Sequence, residues 1–203
     1  MTPSFFADRR PHTGLTYAAY MDLMAEQAAA PVPTDDAEAA ERIEFTKLNL
    51  HRSGRISRTW RPSGELASLA GRLTGSQLWM VLTEPWCGDS AQCLPCLAVL
   101  AGELPDIELR MLLRDDNLDI MDQFLTDGKR SMPVLVAFDP DGAELFRWGP
   151  RPAAAQKVVD EAKAEGLEKP DMLERLHLWY GRDRGKQLDA ELAAVLRRHL
   201  DSP

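Results

Sequence analysis

The run Gln77-Leu78-Trp79-Met80-Val81-Leu82-Thr83, followed by Glu84-Pro85-Trp86-Cys87-Gly88-Asp89-Ser90, decides how the rest of this chain is read. Its first half is short and almost continuously apolar, the pattern of a strand covered on both faces. Its second half leads into helix-compatible sequence from Gly88 to Gly102. Cys87 therefore stands at a strand-to-helix junction. A thiol there faces unpaired backbone N–H groups and the positive end of the helix dipole, both of which favour thiolate over thiol. Ser90, three residues on, sits over the same turn and adds a donor to the sulfur. Asp89 and Glu84 act against it, because a neighbouring negative charge disfavours a second one.

Outward from this junction, periodicity and punctuation predict alternating elements. Ile107 to Leu112 reads as a strand, Asn117 to Thr126 as a helix with Ile120, Met121, Phe124 and Leu125 inward, and Pro133 to Phe138 as a strand. Asp139-Pro140-Asp141-Gly142 is a turn, and Glu144 to Trp148 returns as a hairpin partner. Pro152 to Ala164 is a helix with proline in its first turn. The order from Gln77 to Glu165 is thus β-α-β-α-β-β-α. Upstream, helices are expected at Thr16 to Ala30, from Asp35 (with Glu38 as a capping box) to about Arg52, and at Ser63 to Leu73. Downstream, two more are expected at about Asp171–Tyr180 and Lys186–Leu200. The organisation expected is a helical extension over 1–75, an α/β core over 76–166 and a second helical extension over 167–203, packed as one unit.

The chain has 203 residues, 44% hydrophobic and 28% charged, with a formal net charge of −8. That length and composition suit one embellished domain, and the charge argues against nucleic acid or an anionic membrane as partner. Met1 to Arg10 lacks the apolar run of a signal peptide, and no stretch has the length to span a bilayer. The expected compartment is the cytoplasm, where structural disulfides are rare. The three cysteines, Cys87, Cys93 and Cys96, fall within ten residues, which there reads as reactive or metal-binding before it reads as a staple. Zinc is disfavoured, since His12, His51, His177 and His199 are scattered and none is spaced to join the cysteines.

Trp86-Cys87-Gly88 resembles the Trp-Cys-Gly-Pro-Cys turn of the thioredoxin superfamily, with tryptophan and glycine in register. Pro95 matches the proline of that family's active-site helix, Met132-Pro133 resembles its cis-proline dipeptide, and Gly149 resembles the glycine lining the same groove. The resemblance covers about Gln77 to Glu165 and implies a thioredoxin-like fold: a mixed sheet flanked by helices, here with extra helices at both ends. It implies that Cys87 is the attacking thiol with Ser90 in support. Substrate would be held by Trp86, Gly88, Met132, Pro133, Gly149 and Arg151. Two departures stand out. Ser90 replaces the second cysteine of the motif, and the family's buried acid falls near Val81.

Cys93 is a poor substitute for that second cysteine. Six helical residues rotate roughly 240° and rise about 9 Å, against the roughly 4.4–6.8 Å between Cα atoms that a disulfide needs. Cys93 and Cys96 read as small core residues. The function expected is monothiol thiol–disulfide exchange on protein or small disulfides, with no bound cofactor and glutathione as external thiol. A redox-inactive binding module is the alternative. A cluster-holding glutaredoxin-like protein is a third reading, suggested by Cys87-Gly88-Asp89-Ser90, but a glutathione-binding Gly-Gly-Cys-Asp-like segment is missing after Pro133. Trp86 is expected to be exposed beside the sulfur and Trp79 to be core. Arg151 is expected at the groove rim, Asp115 and Asp116 to end a strand and cap a helix, and Leu178 to Lys186 to form a helix–helix loop with anchoring aromatics, with anion binding by Arg182, Arg184 and Lys186 as the lesser reading.

Overall fold

A computed structural model of the chain describes residues 2–202. Four strands, β1 (Gln77–Thr83), β2 (Ile107–Leu113), β3 (Val134–Phe138) and β4 (Glu144–Trp148), form one sheet in the order β2-β1-β3-β4. β1 runs parallel to β2 and antiparallel to β3, and β4 closes the hairpin on β3. The parallel pair needs a crossover, which is α5 (Gly88–Gly102). All seven residues of β1 are buried, as its apolar run requires of a central strand.

The alternation of side chains sorts the sheet into two apolar layers. Trp79, Val81, Leu135 and Ala137 face one core shared with Leu94 and Leu97 of α5. Leu78, Met80, Leu82, Val134, Val136 and Phe138 face a second, smaller one. The larger core also takes in residues of α2 (Tyr17–Ala29), α4 (Gly64–Ala70), α7 (Ala153–Ala164), α8 (Lys169–Asp183) and α9 (Lys186–Asp201). α3 (Ala37–Thr59) packs along α5 and against α2. The smaller core is closed by Ile120, Met121 and Phe124 around α6 (Leu118–Met121), and by Phe5 and Phe6 of α1 (Ser4–Ala7).

Several boundaries differ from expectation for local reasons. α3 is capped by Asp36, whose carboxylate accepts the Ala39 N–H at 2.9 Å, rather than by Asp35. It continues through Gly54 to Thr59 and ends ahead of Pro62. The predicted helix at 117–126 shrinks to the single turn of α6. Phe124 is buried there, but Leu125 is 40% exposed instead of inward. Neither Asp115 nor Asp116 caps that helix, since Asn117 holds the cap position. The expected loop at Leu178–Lys186 is mostly helix: α8 runs through Asp183, and the reversal is confined to Arg184 and Gly185, both left-handed. No sequence signal marked α1, whose Phe5 rests edge-to-face against Phe124 and Phe138 at 6.0 and 6.1 Å.

Phe5 is 2% exposed and closes the thinner core, so Phe5→Ala is expected to destabilise the protein by about 3 kcal/mol. Urea denaturation measures it, and an unchanged midpoint would show that α1 does not stabilise this face.

Candidate functional site

The α5 N-terminus gathers the residues singled out in the sequence. Cys87 is the N-cap of α5, and its Sγ accepts the Ser90 N–H at 3.5 Å. The thiol also donates to the carbonyl oxygen of Met132 at 3.5 Å. The Met132–Pro133 peptide is cis, as the sequence predicts, and Gly149–Pro150 is cis as well. Gly149 has φ +132°, and a Cβ there would stand 2.2 Å from the Pro133 carbonyl oxygen. Only glycine lets the segment after β4 lie this close to the cis-proline segment. Cys87, Ser90, Met132, Pro133 and Gly149 are thus adjacent. Val81 is fully buried among apolar neighbours, so β1 carries no acid at that position.

Two side chains are placed otherwise than the sequence reading expects. Trp86 is half-buried rather than presented to solvent, its ring between the guanidinium groups of Arg42 and Arg114 at 5.0 and 5.1 Å. Those cations share Asp115, whose carboxylate accepts from Arg114 at 2.7 Å and from Arg42 at 3.5 Å. The Asp115 N–H donates to Glu84 at 2.8 Å, which turns the Glu84 carboxylate to the strand end. Arg151 does not stand free at a rim: it donates to Asp89 at 2.7 Å.

Asp89 is the least anticipated member of the site. It is 7% exposed, and its second carboxylate oxygen accepts the Tyr180 hydroxyl at 2.6 Å. Burial raises its pKa, while Arg151 and Tyr180 pull it back down. Tyr180 comes from α8 and Arg151 from the segment before α7, so three distant parts of the chain meet on one carboxylate. Sequence reading took Tyr180 only as an anchor for the C-terminal helices, since nothing in its local pattern marks a polar task.

His177, one helical turn before Tyr180, reads in the sequence only as one of four scattered histidines. A Cβ on Gly88 would fall 2.8 Å from its ring, so glycine at that position makes room for the imidazole. Its Nε2 lies 3.2 Å from Nη1 of Arg52. Burial, and then the positive charge of Arg52, lower its pKa to about 4. Arg52 Nη1 also donates to Asn49 at 3.1 Å, and Asn49 donates to the Pro85 carbonyl at 3.0 Å. α3 and α8 together therefore roof the turn that carries the cysteine.

That roof decides the state of the thiol. Cys87 is 8% exposed, and its pKa is pushed up to about 11 by burial first and by the charge of Asp89 second. Hydrogen bonds from the Ser90 side chain and the backbone oppose the rise without cancelling it. Ser90 is itself fixed, its hydroxyl accepting from Thr83 at 2.7 Å. Cys93 and Cys96 are buried and free, and burial raises both thiols. Among the described residues no three His, Cys, Asp or Glu side chains converge to hold a metal ion, and no helix is long and apolar enough to cross a membrane.

Comparison with known proteins follows the same outline. A family model described as Thioredoxin matches residues 37–163, a span that begins at the first residue of α3. No curated protein matches. A crystal structure of a protein of unknown function from Pseudomonas aeruginosa is similar, with 20% identity, a TM-score of 0.52, and coverage of 90% of this chain and 98% of that one. An HIV epitope-scaffold structure shows 21% identity, a TM-score of 0.49 and the same coverage.

A thiol with pKa about 11 gains thiolate as pH rises. Alkylation of Cys87 by iodoacetamide is therefore expected to accelerate about tenfold per pH unit between pH 7 and 10. In Asp89→Asn the repelling charge is gone, so the profile moves to lower pH. Rate profiles with peptide mapping measure both, and an unmoved profile in the variant would remove Asp89 from control of the thiol.

Proposed function

This chain belongs to the thioredoxin family, and on that premise we propose that it is a monothiol thiol–disulfide exchange protein working through Cys87. The observation that carries this reading is the seat of the sulfur: capping α5, accepting the Ser90 N–H, and 3.5 Å from the carbonyl oxygen of Met132 beside cis-Pro133. An extended substrate laid along Met132 and Pro133 would displace the thiol's own hydrogen bond and bring its disulfide to Sγ. Gly149 lets its segment lie against Pro133, and in this reading Trp86, Gly88 and Arg151 would meet the rest of the substrate.

The exchange balances without a bound cofactor. The Cys87 thiolate attacks one sulfur of a glutathionylated thiol, forming a Cys87–glutathione disulfide and releasing the substrate thiolate, which takes up a proton. An external glutathione thiolate then attacks that mixed disulfide, so oxidised glutathione leaves and the Cys87 thiol is restored. One glutathione supplies the electrons that reduce each substrate. The reading places the protein in a reducing compartment such as the cytoplasm, where glutathione is the abundant thiol.

A second reading is favoured by a separate observation. The buried thiol, with its pKa at about 11, is what a groove retained for binding alone would carry, and fold does not by itself imply turnover.

Brief exposure to oxidised glutathione at pH 9 is expected to add a single glutathione, mapped to Cys87 by mass spectrometry. Cys87→Ser should abolish both this adduct and the reduction of a glutathionylated peptide. Loss of two hydrogens instead would mean an internal disulfide and would sink the monothiol mechanism. No mass change would leave the binding module as the function.

A further inference from the structure

A cavity of about 430 Å³ lies between α3, α5 and the α8–α9 reversal. Cys87 is not part of its wall, so it is separate from the groove at Met132 and Pro133. Its volume falls within the roughly 300–1,000 Å³ of small-molecule sites. The interior is apolar: Ile56 and Trp60 on one side, Leu188 on the other, and the thiols of Cys93 and Cys96 between them. The reversal holds the indole in place, because a Cβ on Gly185 would stand 2.8 Å from Trp60.

Two polar side-chain groups on otherwise buried residues have no partner among the described residues. Trp60 and Gln92 are each 7% exposed, and neither the indole N–H nor the Gln92 side-chain amide makes a hydrogen bond among the described residues. Both residues border the cavity, to which these polar groups are open. Arg55 on the α3 side and Arg184 at the reversal also line the cavity, are exposed, and form no ion pair among the described residues. Asp183, also on the wall, accepts the Gln187 N–H at 3.2 Å with each of its oxygens at the start of α9, and its single negative charge leaves the two arginines in excess.

An apolar interior, an unpaired donor within it and two unpaired cations around it match one ligand chemistry. We propose that this cavity binds a small organic acid with an apolar body, such as a medium-chain carboxylate. The hydrocarbon lies against Trp60, Ile56 and Leu188, and the carboxylate is taken by Arg55 and Arg184. The site does not depend on redox activity at Cys87.

Calorimetric titration of the full chain with octanoate tests the proposal, with 1-octanol as the neutral probe of the same apolar body. Saturable one-to-one binding of octanoate is expected, with octanol at least about tenfold weaker, the loss of one charge-assisted contact. The double variant R55E/R184E, changed only at exposed positions, should weaken octanoate binding about tenfold or more while its melting temperature stays unchanged. Absence of octanoate binding at millimolar concentration would overturn the proposal. So would equal affinity for octanol, or undiminished octanoate binding by the double variant.

Discussion

The carboxylate of Asp89 is buried between Arg151 at 2.7 Å and the Tyr180 hydroxyl at 2.6 Å, and the arrangement of the site follows from keeping it satisfied. A buried charge without partners is far more costly than the pair is stabilising. The segment before α7 and the middle of α8 are therefore both tied to the first turn of α5. Once α8 is held there, His177 comes to rest against Gly88 and Arg52 of α3 meets the His177 ring. The terminal helices are in this sense part of the site, and the family match beginning at Ala37 is consistent with α3 belonging to the same fold unit.

The same closure sets the character of Cys87. A helix N-terminus stabilises a negative charge by about 0.3–1 kcal/mol, up to about 2 kcal/mol when partly buried, which is about one pKa unit. Burial in a low-dielectric setting moves a thiol by up to several units the other way, and Asp89 adds its repulsion. Burial wins, and the sulfur rests as a thiol donating to Met132. The Asp89 that organises the turn therefore also restrains the nucleophile that the turn presents. In Trp86 the two cations meet a ring rather than a substrate, and each also has an acid: Asp115 for Arg114 at 2.7 Å and Glu38 for Arg42 at 2.8 Å.

Much of the fold was legible before any coordinates. The seven buried residues of β1 follow from an unbroken apolar run, and the parallel crossover from the strand–helix–strand order around it. Cis-Pro133 and the close approach of Gly149 were carried by resemblance to a known family and not by periodicity. Errors fell where a local pattern has two physical solutions. Asn117 to Thr126 has helical spacing, yet only one turn forms, leaving Leu125 outside while Phe124 enters the smaller core. Leu178 to Lys186 looked like a loop because it is rich in glycine and charge. Left-handed conformations at Arg184 and Gly185 are enough to reverse the chain, so the rest stays helical.

By itself the sequence determined the element order, the burial of the central strand, and the placement of a thiol at a helix start. These depend on short-range spacing, which amphipathic periodicity and capping chemistry express directly. Only the tertiary structure decided that Asp89 would find Arg151 and Tyr180, that His177 would fill the space above Gly88, and that Trp86 would lie between two arginines. It also decided that Cys87 would be roofed over and kept protonated. Each of these is a contact between residues tens of positions apart, and the desolvation that governs the thiol exists only once those distant helices have closed on it.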